Sequence, residues 1–121
     1  MKKFLIFAIV SLISVASYCL AEVKSEMFAR RAFKLLQDNA GHLILKGDVS
    51  STEKLTEILE TLKTSAGHSV SCANNNVEVS TCTLFIEHRP VGETAVTFEV
   101  RLDENAMPKR IMGDVEISRG D

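Results

Sequence analysis

Outside its N-terminal stretch, this chain carries few side chains suited to chemistry. They are three histidines, His42, His68 and His88, and two cysteines, Cys72 and Cys82. A metal centre would need His42 and His68 to converge with Glu87 or His88 close by, because zinc-type sites take three or four such donors. The two cysteines stand ten positions apart, not at the C-x-x-C spacing of a thioredoxin-like redox pair. His68 precedes Cys72 by four, which could mimic a thiol–imidazole pair. With Cys82 at hand in an oxidising compartment, a Cys72–Cys82 disulfide is the expectation, with two buried free thiols as the alternative. The chain has no P-loop, G-x-S-x-G, H-E-x-x-H, EF-hand or G-x-G-x-x-G, and nothing marks a nucleophile for a Ser-His-Asp arrangement. No catalytic residue, no metal ligand set and no cofactor is therefore assigned. A non-enzymatic protein is expected.

The compartment is read from the N-terminus. Lys2 and Lys3 precede a run from Phe4 to Ala16 that is apolar except for Ser11 and Ser14. Cys19 and Ala21 then supply the small residues of a cleavage site before Glu22. The run is short for a membrane span, which takes about 20 residues. Residues 1–21 are thus expected to be a cleaved signal peptide, and residues 22–121 a single small domain in the periplasm or outside the cell. Cleavage after Ser14-Val15-Ala16, or lipid attachment at Cys19, are the alternatives. Removing Lys2 and Lys3 with the signal leaves 12 basic and 16 acidic groups, a net charge of −4. That balance argues against a nucleic-acid partner, which usually meets a basic stripe. The aromatic side chains left are Phe28, Phe33, Phe85 and Phe98, few for both a core and a stacking platform.

The elements that would position any site are read from periodicity. Phe28, Ala32, Leu35 and Leu36 recur at helical spacing and predict a helix over 24–38, stopped by Asn39 and Gly41. Arg30, Arg31 and Lys34 form a basic patch on its outer side. Leu43-Ile44-Leu45, between Gly41 and Gly47, reads as a short buried strand. Ser50-x-x-Glu53 reads as a capping box, succeeded by Leu55, Ile58, Leu59 and Leu62 on one helical face and Gly67 as the helix stop.

The remainder reads as β. Asn74-Asn75-Asn76 signals a turn. Val77 and Val79 lie on odd positions whereas Cys82, Leu84 and Ile86 lie on even ones, which predicts a bulge or break near Ser80-Thr81. A hairpin turning at Asn74-Asn75 would set Cys72 opposite residue 77, so the disulfide implies an irregular loop instead. Arg89-Pro90-Val91-Gly92 is a tight turn. Thr94, Val96, Phe98, Val100 and Leu102 then alternate with polar residues, as do Ile111, Gly113, Val115 and Ile117. The expected fold is α+β, with two helices packed on one face of a small, mainly antiparallel sheet of about four strands.

Gly41-x3-Leu45-x-Gly47-x-Val49-x-Ser51, with Gly67 after the next helix and Val70 and Asn74 beyond, resembles the pattern of a BON domain. The resemblance covers residues 41–74. It implies a small α/β module of an exported bacterial protein, associated with phospholipid or membrane-surface binding. The strand that such a domain places before the first glycine has no counterpart here, and Cys72 and Cys82 lie outside the pattern. No functional residue is carried over from it.

The functional expectation is a binding protein that engages a protein or envelope component through its polar sheet face or through the loop around the disulfide. Glu99, Arg101, Arg110 and Glu116 are the candidate binding residues on that face. Contact with a membrane surface, or anchoring there through Cys19, is the alternative. A small hydrolase is a further class, and it would show a concave pocket with convergent polar groups.

Overall fold

The structure is a computed structural model that describes residues 24–120. The expected signal peptide, its cleavage site and Cys19 lie outside the described residues. Helix α1 spans 24–38, as its periodicity predicts. Ala32 and Leu36 are completely buried, and Phe28 and Phe33 pack half-buried against the same core. Asn39 closes the helix with its backbone N–H and its side-chain amide, both donating to the Leu35 carbonyl (3.1 and 2.8 Å). A 3₁₀ turn, Ala40–His42, leads into β1 (Leu45–Gly47), and α2 (Leu55–Glu60) continues as a 3₁₀ turn over Thr61–Thr64. Four strands come after it: β2 (Gly67–Asn74), β3 (Val79–Glu87), β4 (Glu93–Leu102) and β5 (Pro108–Gly120).

The strands form one sheet in the order β1-β5-β4-β3-β2. β2 to β5 make an antiparallel meander, and β1 joins the outer side of β5 in parallel. The α+β class and the two helices on one face are as expected. The sheet has five strands rather than four, and it is mixed. The additional strand is β2. Its sequence Gly-His-Ser-Val-Ser-Cys-Ala-Asn offers only Val70 and Cys72 as larger apolar side chains, because an edge strand buries little.

β4 is the centre of the core. Thr94, Val96, Phe98, Val100 and Leu102 are all buried on the inner face, against Cys82, Leu84 and Ile86 of β3 and Val115 and Ile117 of β5. Ala32, Leu36 and Ala40 from the α1 region, with Leu55 and Ile58 of α2, close over them.

Several local expectations are corrected. The first strand is Leu45–Gly47, not 43–45. Ile44 is 68% exposed and contributes only its carbonyl, which accepts from Val115 N–H at 2.9 Å. The capping box does not form. α2 begins at Leu55 with Lys54 at the cap and no side-chain cap bond, so Ser50 and Glu53 precede the helix, and Glu53 bonds Arg119 at the end of β5. Gly67 does not stop the helix; it opens β2.

No bulge interrupts β3, whose pairing with both neighbours is continuous. Val77 lies in the preceding turn, Val79 is on the outer face, and Ser80 takes the inner position, its hydroxyl donating to the Ala73 carbonyl at 3.0 Å. One inward serine satisfied by a hydrogen bond reconciles the odd and even apolar sets. The irregularities fall between β4 and β5 instead, where the register shifts between Thr97 and Glu99 and again between Arg101 and Leu102.

β1 comes very close to β5 at Gly47. Its φ is +94°, and a Cβ there would collide with the Ile117 carbonyl oxygen. A left-handed conformation costs a non-glycine residue roughly 1–2 kcal/mol even before such a collision. Gly47→Ala should therefore lower unfolding free energy by about 2 kcal/mol or more, measured by urea denaturation. Gly41→Ala, at a site with ordinary φ and open space, should cost far less.

Candidate functional site

The alternation that buries one face of β3, β4 and β5 sends the odd positions of β3 and β4 to the other face, which no described element covers. Thr81, Thr83 and Phe85 line it from β3, and Ala95, Thr97, Glu99 and Arg101 from β4. Phe85 is 41% exposed there. The four candidate residues all reach this face. Arg101 stands directly opposite Arg110, Glu99 opposite Met112, and Glu116 opposite Thr97. Glu99, Arg110 and Glu116 are exposed and Arg101 is half-buried.

The register shift after Thr97, with Gly113 at φ +67°, opens a shallow cleft of about 260 Å³ between these strands. Glu99 and Glu116 border it together with Lys46, Met112 and Asp114. Among the described residues no carboxylate lies within salt-bridge distance of Arg101 or Arg110. Lys46, Met112 and Phe85 were not singled out from the sequence. The alternation of Thr81, Thr83 and Phe85 against buried neighbours is the signal that would have found Phe85.

The disulfide joins Cys72 to Cys82 as expected. The two residues face one another across β2 and β3 with Cα atoms 4.1 Å apart, so the bridge sits within a regular hairpin and not in an irregular loop. The turn is centred on Val77, two and a half residues beyond the midpoint of Asn74-Asn75. It comprises Asn75 to Glu78, and that shift brings 72 opposite 82. The Asn76 side-chain oxygen accepts from the N–H groups of Glu78 (2.8 Å) and Val79 (2.9 Å), and the Asn75 amide donates to the Thr81 hydroxyl at 2.7 Å. Val77 at the tip is 88% exposed.

The histidines do not converge. His68 stacks on Phe33 with ring centroids 5.7 Å apart, His88 Nε2 lies 2.7 Å from the Thr94 hydroxyl, and His42 ends the 3₁₀ turn. Among the described residues no three His, Cys, Asp or Glu side chains group as a metal site. No described helix is long and apolar enough to cross a membrane.

Two carboxylates are held below their ordinary range. Glu53 is lowered chiefly by its hydrogen bonds from the Arg119 guanidinium. Arg119 Nη1 also donates to the Asp48 carbonyl at 2.8 Å, and its backbone N–H donates to Asp48 Oδ2 at 3.1 Å. This ties the link between β1 and α2 to the end of the sheet. Asp103 is lowered chiefly by backbone N–H donation, first from Met107 and then from Asn105, within the turn between β4 and β5.

Comparison with protein-family models, with curated proteins and with solved structures finds no match. The BON-domain resemblance rests on its own residues alone.

Replacing both cysteines by alanine should destabilise the domain by about 3 kcal/mol, since the bridge closes a loop of ten residues in the unfolded chain. Equilibrium denaturation of the double variant measures this. A carboxylate with a lowered folded pKa contributes stability that is complete above its unfolded value and is lost as pH falls through the folded one. Stability should thus decline on acidification below the ordinary carboxylate range, and Glu53→Gln with Asp103→Asn should flatten that slope in a pH series of thermal melts.

Proposed function

We propose that this chain is a small, exported, non-enzymatic binding protein that engages an acidic macromolecular partner through the outer face of its sheet. Export is supported by Lys2 and Lys3 ahead of the apolar run, and a Cys72–Cys82 bridge is compatible with it. The observation that carries the binding reading is the pairing of Arg101 with Arg110. Like charges directly opposite one another across strands destabilise a sheet. Here they sit on a face that no described element covers, and no described carboxylate lies within salt-bridge distance of either. A partner carboxylate or phosphate would relieve that repulsion and accept hydrogen bonds from both guanidinium groups. Glu99, Glu116 and Lys46 around the neighbouring cleft would set orientation by rejecting a misplaced charge. Phe85 and Met112 supply the apolar contact that gives such an interface residence time.

Substituting Arg101→Glu separates binding from stability. It converts a repulsive cross-strand pair into an attractive one, so unfolding free energy should hold or rise by about 0.2–1 kcal/mol. Partner capture should fall at least tenfold. A photo-crosslinker placed at Met112 in the producing cell should give an adduct that Arg101→Glu abolishes. An adduct of unchanged yield in that variant would overturn the reading.

A further inference from the structure

We infer that the free edge of β2, with the groove between it and α1, binds an extended peptide segment of a partner protein as a sixth strand of the sheet. The sheet has two edges, and they are treated differently. β1 is three residues long and carries Lys46, and both features discourage strand addition. β2 is eight residues long and contains no Lys, Arg, Asp, Glu or Pro, whereas every other strand carries at least one charge. A long uncharged edge of this kind is an open template for another strand.

The backbone groups on offer can be named. A separation of 4.1 Å between the Cα atoms of Cys72 and Cys82 marks a pair that exchanges no backbone hydrogen bonds. Alternation along β2 then aims the N–H and C=O groups of Gly67, Ser69, Ser71 and Ala73 at β3, and those of His68, Val70, Cys72 and Asn74 at the open side. No described residue hydrogen-bonds to that second set. The disulfide and the hydrogen-bonded turn fix β2 against β3, which lowers the entropy cost of adding a strand to it.

Beside this edge lie two adjoining clefts, of about 640 and 290 Å³, between α1 and β2. Phe28, Ala29, Phe33 and Val70 give them apolar walls, and Lys24, Glu26 and Arg30 stand on the rim, Glu26 on both clefts. Strand addition draws affinity from main-chain bonds and specificity from pockets that take every second side chain. The groove fits small or apolar side chains at alternate positions, and its mixed rim of Lys24, Glu26 and Arg30 suits polar residues between them. A peptide also fits better than a second copy of this chain. Edge-to-edge pairing of two copies would set α1 beside α1 and crowd the two helices over the groove. A peptide brings no helix.

The test is a phage-displayed random heptapeptide library selected on the purified, disulfide-bonded protein. Enriched sequences should alternate small or apolar residues with polar ones and should bind by titration calorimetry. In the wild-type protein, amide exchange at His68, Val70 and Cys72 should slow at least tenfold when peptide binds. Ser69, Ser71 and Ala73, already bonded to β3, should change little. Val70→Pro removes one outward donor and should weaken binding at least tenfold, while Arg101→Glu should leave it unaltered. Failure to enrich any peptide, or binding without new protection at those three amides, would overturn the inference. A dimer in sedimentation that Val70→Pro dissolves would overturn it too, in favour of a second copy. If Val70→Pro keeps the Met112 adduct and Arg101→Glu loses it, the outer-face reading stands whatever the fate of the edge.

Discussion

A sheet packed on one side only must send every second side chain to the core, and β4 meets that demand along its full length. Thr94, Val96, Phe98, Val100 and Leu102 are the floor on which α1 and α2 rest. Phe98 is the largest of the fully buried side chains, and apolar burial of this kind is the dominant favourable term in folding. Because the strand's period is two, burying this set exposes Ala95, Thr97, Glu99 and Arg101 on the other side. The polar face is therefore a consequence of the core. The opposition of Arg101 to Arg110 depends in turn on the register that the core enforces.

The ends of the sheet are held by different means. At the β1 end the chain must cross from strand to helix within a few residues. Gly47 permits the close approach to Ile117, and Arg119 grips Glu53 and Asp48 on the far side of the turn. At the β2 end the described residues form no such network. A disulfide and a side-chain-bonded asparagine turn fix the hairpin, and no described residue pairs with the outer edge. The fold thus protects its short edge and presents its long one.

The outer face and the β2 edge are separate surfaces with different chemistry. The first offers paired guanidinium groups around a shallow cleft, suited to acidic groups on a folded surface. The second offers backbone donors and acceptors beside an apolar groove, suited to an extended chain. A partner that laid a strand along β2 would sit at the rim of the face that carries Phe85 and the arginine pair.

Much of the fold was legible in the residues. The stripe of Phe28, Ala32, Leu35 and Leu36 specified α1, and the alternation from Thr94 to Leu102 specified β4, because each pattern is local and its period admits one element. The pairing of Cys72 with Cys82 was legible for a related reason: with Cys19 assigned to the expected signal peptide, the two remaining cysteines have one internal partner each. The four charged candidates were assigned to the outer face by the same alternation. What the sequence could not decide were the matters set by contact between distant segments. Glu53 at cap spacing from Ser50 lies ahead of α2, whose cap is Lys54, and it bonds the Arg119 guanidinium 66 positions away. Ser80 sits inward because Ala73 offers it a carbonyl across the hairpin. β2 is a strand because β3 supplies its partner, not because its own residues demand one. Local periodicity therefore determined the helices, the central strands and the faces they bury. Only the tertiary structure decided the fifth strand, the parallel edge and the opposition of Arg101 to Arg110, because register and edge exposure arise from pairings between segments that no single stretch of sequence contains.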